Sequence, residues 1–180
     1  MTASLQVLRT DGEALTTTRV AAVAGVSVGT LYQYFPNREA LLAAVLAELV
    51  EAAVAPVVEV AARAGTLPAG ELLEQAVRGF LAVKAERAEI TRVLNRVFTI
   101  GKLDDRPLVR AAGVRAAEAV ARILGAGRAP DAAMRTRAEL ACAALEGMVR
   151  TAIVHDVERL RDPAWIEQVV TFARAALPVQ

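Results

Sequence analysis

Apolar residues recur at three- and four-residue spacing along nearly the whole chain, and no sustained period-two alternation interrupts them. A helix face repeats every 3.6 residues and a strand face every two, so the pattern predicts an all-α fold. Gly, Pro and Asp cut it into blocks. A first helix is predicted from about Ala3 to Arg9, with Leu5 and Leu8 on one face, stopping before Gly12. Thr16 to Thr18 offer a hydroxyl cap for a helix reaching Ala24, and Gly25 closes it. Ser27 caps another that runs to about Phe35, where Pro36 ends it. Asn37 opens the next, with Glu39 in its first turn and an apolar face through Leu41, Leu42, Val45 and Leu49. Pro56 lies inside that run and lacks the N–H a helix needs, so a kink or break is expected near Ala52 to Pro56. Further breaks at GTLPAG (65–70), GKLDDRP (101–107), GAGRAP (125–130) and LRDP (160–163) leave four more helical blocks. These run about 71–99, open to a split near Arg87, then 106–124, 131–157 and 163–177, the last with Asp162 as cap and Pro163 as first helical residue.

Composition narrows what such a chain can do. An apolar fraction of 55% over 180 residues is ample for a core. A net charge of +1 gives no global basic field, so any nucleic-acid contact must come from a local patch or from oriented dipoles. One histidine, His155, and one cysteine, Cys142, with no Gly-rich phosphate loop and no paired metal-ligand motif, leave little chemistry for an enzyme. The chain is read as non-enzymatic, with no cofactor and no metal. Cys142 sits among alanines as a small buried hydrophobe, and His155 reads as a helix-end residue beside Asp156. Nothing marks the N-terminus for export, so a reducing cytoplasm is the expected compartment. The most membrane-like window, Leu41 to Ala62, carries Glu48, Glu51 and Glu59. A carboxylate at a bilayer centre costs about 2.5–3.5 kcal/mol, so the window reads as a buried helix with no membrane partner.

The stretch AAVAGVSVGTLYQYFPNREALL (21–42) gathers both tyrosines and one of the four phenylalanines. Two short helices joined by Gly25 and Val26 form a helix-turn-helix candidate, with Val20, Ala21, Ala24, Val26, Leu31 and Phe35 as its small core. The other face presents Ser27, Val28, Gly29, Thr30, Tyr32 and Gln33, groups that are small or hydrogen-bonding, with no carboxylate to repel phosphate. Such a helix is about 11 Å long and spans roughly three base pairs of a major groove. Tyr32 and Tyr34 are amphipathic, so each can pack its ring and extend its hydroxyl to a phosphate, while Arg38 adds charge at the next helix start.

Residues 15–46, LTTTRVAAVAGVSVGTLYQYFPNREALLAAVL, resemble the DNA-binding segment of the TetR family of bacterial transcriptional repressors. The threonines, Val-Ala, Ala-Gly-Val-Ser, Gly-Thr-Leu-Tyr, Tyr-Phe and Asn-Arg-Glu-Ala-Leu fall in family order without a gap. The resemblance implies phosphate contact by Thr17 and Tyr34, approach to bases or sugars by Thr18, Val28, Gly29, Thr30 and Tyr32, and a phosphate anchor at Arg38. It implies a three-helix head to about residue 36 with the fourth helix as connector. The DNA-binding domain is accordingly drawn as 1–45 and a helical ligand-binding and dimerisation domain as 46–180. Family members usually begin with a basic arm, whereas Arg9, Arg19 and Arg38 are the cations up to residue 38. Either a segment upstream of Met1 supplies the charge, which is the expectation, or the head binds DNA weakly.

Two further sites are expected. Ala141, Ala144, Leu145, Met148 and Ala152, beside Trp165, Val169, Phe172 and Ala173, read as the interface of a homodimer through the last two helices. Phe80, Leu94, Asn95, Phe98 and Met148 read as the lining of an apolar pocket for a small hydrophobic effector that releases dyad-symmetric operator DNA. The alternative is a helical ligand-binding module whose DNA binding is weak or lost.

Overall fold

The computed structural model describes residues 2–100 and 106–178, without the side chains of residues 99, 100 and 106. The described residues form nine α-helices and no strand: α1 Thr2–Asp11, α2 Thr17–Ala24, α3 Val28–Tyr34, α4 Arg38–Ala61, α5 Ala69–Glu86, α6 Ala88–Ile100, α7 Arg106–Gly125, α8 Ala132–His155 and α9 Pro163–Ala176. Short 3-10 turns stand at Gly12–Ala14 and Val157–Arg161. The blocks follow the punctuation of the sequence, and Arg87 does separate α5 from α6. The break expected within 101–107 falls mostly on residues outside those described.

Helix ends are fixed by the side chains placed there. The Thr16 hydroxyl accepts the Arg19 N–H at 3.1 Å, Ser27 the Thr30 N–H at 3.0 Å, Asn37 the Ala40 N–H at 2.7 Å, Asp131 the Met134 N–H at 2.8 Å and Asp162 the Ala164 N–H at 2.9 Å. Each satisfies an amide that the first helical turn cannot pair. Gly25 takes a left-handed φ of 69°, while its N–H bonds Ala22 and the Val26 N–H bonds Ala21. This doubly bonded turn closes α2 and needs a residue without a Cβ.

Pro56 does not break α4, which continues to Ala61. Leu41, Leu42, Val45, Leu46, Leu49, Ala53, Val54, Val57 and Ala61 repeat at helical spacing and are all buried. The helix is long and apolar enough to cross a membrane by length and composition, but this stripe is taken up by packing inside the fold.

The chain divides into two compact units, and the division does not follow chain order. Unit 1 comprises Met1–Leu49 and Arg87–Pro107, and unit 2 comprises Val50–Glu86 and Leu108–Gln180. In unit 1, α6 packs against α1 and the Gly12–Ala14 turn, with Val7, Leu8, Leu15, Ile90, Leu94, Val97 and Phe98 buried. In unit 2, the core gathers Leu72, Leu73, Val120, Ile123, Ala141 and Leu177. There α9 lies on α5, and charges reinforce the contact: Arg78 donates to Glu74 at 2.9 Å and to Glu167 at 2.7 Å, and Arg174 donates to Glu74. Lys84 joins α5 to α8 through Glu146 at 3.0 Å and stands 5.2 Å over the Phe80 ring. A Cβ on Gly79 of α5 would sit 2.9 Å from the Pro56 Cβ, so α5 passes Pro56 where only hydrogen fits.

Candidate nucleic-acid interface

The turn at Gly25 delivers α3 with a continuous exposed side. Ser27, Gly29, Thr30, Gln33 and Tyr34 are exposed, Tyr34 to 75%, while Tyr32 is 45% exposed and Val28 half-buried. Leu31 anchors the opposite side in the core with Val20 and Ala21. The expected core is smaller than the sequence suggested. Ala24 and Val26 are exposed and Phe35 half-buried, because α2 has only two turns and its inward stripe ends at Ala21 before the chain turns away. No carboxylate lies on the exposed side of α3, and its α-helical rise gives seven residues a reach of about 10 Å, again near three base pairs.

Hydrogen bonds already constrain several of the proposed contact groups. The hydroxyls of Ser27 and Thr30 lie 2.9 Å apart, so the cap residue also orients Thr30. The Thr17 hydroxyl meets the Tyr32 hydroxyl at 3.2 Å, and Thr17 is only 8% exposed. Thr17 therefore tethers the Tyr32 ring tip to α2, whereas neighbouring Thr18 is exposed. Half-buried Arg38 turns inward: its Nε donates to the Leu15 carbonyl and its Nη2 to the Glu13 carbonyl, each at 2.9 Å. Arg19 pairs with Asp11 at 3.3 Å. The partners of Arg38 were not legible as site features, since backbone carbonyls carry no sequence signal.

The residues expected to line one pocket are divided between the units. Leu94 and Phe98 are buried in the core of unit 1 and Asn95 is half-buried there, whereas Phe80 and Met148 are half-buried in unit 2. Leu94 and Phe98 share the α6 face with Ile90 and Val97 that packs on α1 and the 3-10 turn. The residues expected at a dimer interface differ in exposure. Ala141, Leu145, Ala152, Val169 and Ala173 are buried within the chain, on the inward faces of α8 and α9. Ala144, Met148 and Trp165 are half-buried and Phe172 is exposed. The outward face of α8 instead carries Leu140, Gly147 and Val154 at seven-residue intervals, with Leu140 67% and Val154 53% exposed. Exposed Arg135, Glu139, Arg150 and Thr151 interrupt that stripe, so its apolar positions stand out only by their seven-residue spacing. Burial pushes the Cys142 thiol up to about 11, which suits a packing residue and leaves little thiolate. His155 is exposed as the last residue of α8.

Residues 2–45 match the family described as bacterial regulatory proteins, tetR family. No curated protein matches the sequence. Among solved structures, the chain is similar to the TetR family transcriptional regulator PfmR of Thermus thermophilus, at 20% identity and a TM-score of 0.59, covering 98% of this chain and 95% of that one. It is also similar to a TetR family transcription regulator from Marinobacter aquaeolei, at 19% identity and a TM-score of 0.65, covering 99% of this chain and 93% of that one. At these identities the two likenesses establish the fold.

Proposed function

We propose, on the premise that residues 2–45 belong to the tetR family of bacterial regulatory proteins and that the chain has the fold of TetR family regulators throughout, that this transcriptional regulator is a repressor. It binds dyad-symmetric operator DNA in the cytoplasm as a homodimer and is released by a small hydrophobic effector. The observation that carries the reading is the exposed, carboxylate-free side of α3, held by the Ser27 cap and the Gly25 turn. Thr18, Ser27, Val28, Gly29, Thr30, Tyr32, Gln33 and Tyr34 supply its DNA contacts, with Tyr34 free to reach a phosphate.

A single three-base-pair reader specifies little, and a two-fold dimer doubles the site. Exposed Leu140, Gly147 and Val154 on α8 and Phe172 on α9 support a partner surface on those helices. Half-buried Phe80 and Met148 in unit 2 support an apolar effector. Selection from a randomised duplex library with the full chain tests the reading. The expected product is a pair of inverted half-sites, bound by a species whose light-scattering mass is twice that of the chain. Failure to enrich any duplex at low salt points instead to a ligand-binding module without DNA function.

A further inference from the structure

Arg38 stands where a phosphate anchor is expected, yet the structure gives its guanidinium other work. The Nε and Nη2 donors lie along one side of a planar group, and both are engaged at 2.9 Å by carbonyls two residues apart, Leu15 and Glu13. Those carbonyls belong to the connection between α1 and α2, where Leu15 is buried and Thr16 caps α2. The Glu13 side chain lies 3.9 Å from Arg96 of α6, so the same turn is approached from a second side. A phosphate drawing Arg38 outward would have to displace two carbonyls from a half-buried fork.

We propose that Arg38 is a positioning residue of the reading head: it pins the α1–α2 connection to the start of α4, thereby aims α2 and α3, and does not bind phosphate. The inference rests on the DNA-binding reading above. It separates geometry from charge, because lysine keeps the charge but has a single compact ammonium in place of the fork.

The test uses the full chain, the duplex that the wild type enriches, and a scrambled duplex of equal length. Affinities of wild type, Arg38→Lys and Arg38→Met are measured by fluorescence anisotropy across a series of KCl concentrations, with circular dichroism to confirm helical content. Expected are losses of about tenfold on the enriched duplex for both variants. The scrambled duplex is bound as before, so specificity shrinks, and the slope of log affinity against log salt stays at the wild-type value. A lysine variant that retains wild-type affinity overturns the proposal. So does a methionine variant that weakens both duplexes equally and flattens the slope by about 0.9, the signature of one lost phosphate contact. Should Arg38→Met fail to fold, Arg38→Lys alone decides through affinity and specificity. A wild type that enriches no duplex removes the DNA-binding reading itself, and this inference with it.

Discussion

The Thr17 and Tyr32 hydroxyls, 3.2 Å apart, link α2 to α3 by a hydrogen bond beside the Val20, Ala21 and Leu31 core. Thr17→Val keeps the shape of the side chain and removes the bond, and Tyr32→Phe removes the same bond from the other side. Each is expected to lower stability in urea unfolding by about 1 kcal/mol, and the double variant to lose little more than either alone. Fully additive losses would mean that the two hydroxyls act independently. At this scale the sequence was most legible where a side chain acts on backbone within three residues, as Thr16, Ser27 and Asp162 do. It was least legible for Arg38, whose two acceptors lie 23 and 25 residues away in sequence and are main-chain atoms that any residue carries.

Helix packing decides the effect of substitutions that propensity alone would misjudge. Gly79→Ala gains helix propensity of about 1 kcal/mol but drives a Cβ to 2.9 Å from the stiff ring of Pro56, and overpacking costs about 1–3 kcal/mol. Net destabilisation is expected, whereas Gly113→Ala on α7, where a Cβ meets nothing within 4 Å, should stabilise. Thermal midpoints moving in the same direction would refute the contrast. The α5–α9 contact carries a pH dependence of its own. Arg78, hydrogen-bonded to Glu74 and aided by Arg174, holds the Glu74 carboxyl below its ordinary 4.5, while Glu167 and Glu74 raise Arg78. A depressed carboxyl stabilises the fold above its unfolded value and loses that contribution as pH falls through the folded one. The wild-type midpoint should therefore fall more steeply than that of Glu74→Gln below about pH 4.5. Parallel curves would remove the Glu74 network from the account. Of the helices, α8 was the hardest to orient from sequence, since Ala141 and Ala152 face inward while Ala143 and Gly147 face outward with side chains of nearly the same size.

For the whole molecule, chain order and compactness part company. The motif ends near residue 45, but unit 1 also holds α6, whose buried Ile90, Leu94, Val97 and Phe98 lie far along the sequence. Periodicity marked that face as apolar, yet only tertiary contact reveals that it packs on α1 and the Gly12–Ala14 turn. A fragment ending at Leu49 lacks this cover, and it is expected to show weak helical circular dichroism and no cooperative melting. Sharp, reversible melting of residues 1–49 alone would contradict the discontinuous unit. The same discontinuity has a cost during biosynthesis. The stretch from Leu49 to Ile100 takes about 3–10 s to emerge at roughly 5–20 residues per second. For that interval the nascent α1–α3 segment is expected to lack the α6 face that covers α1 in the folded chain, and to expose its apolar side to chaperones and proteases.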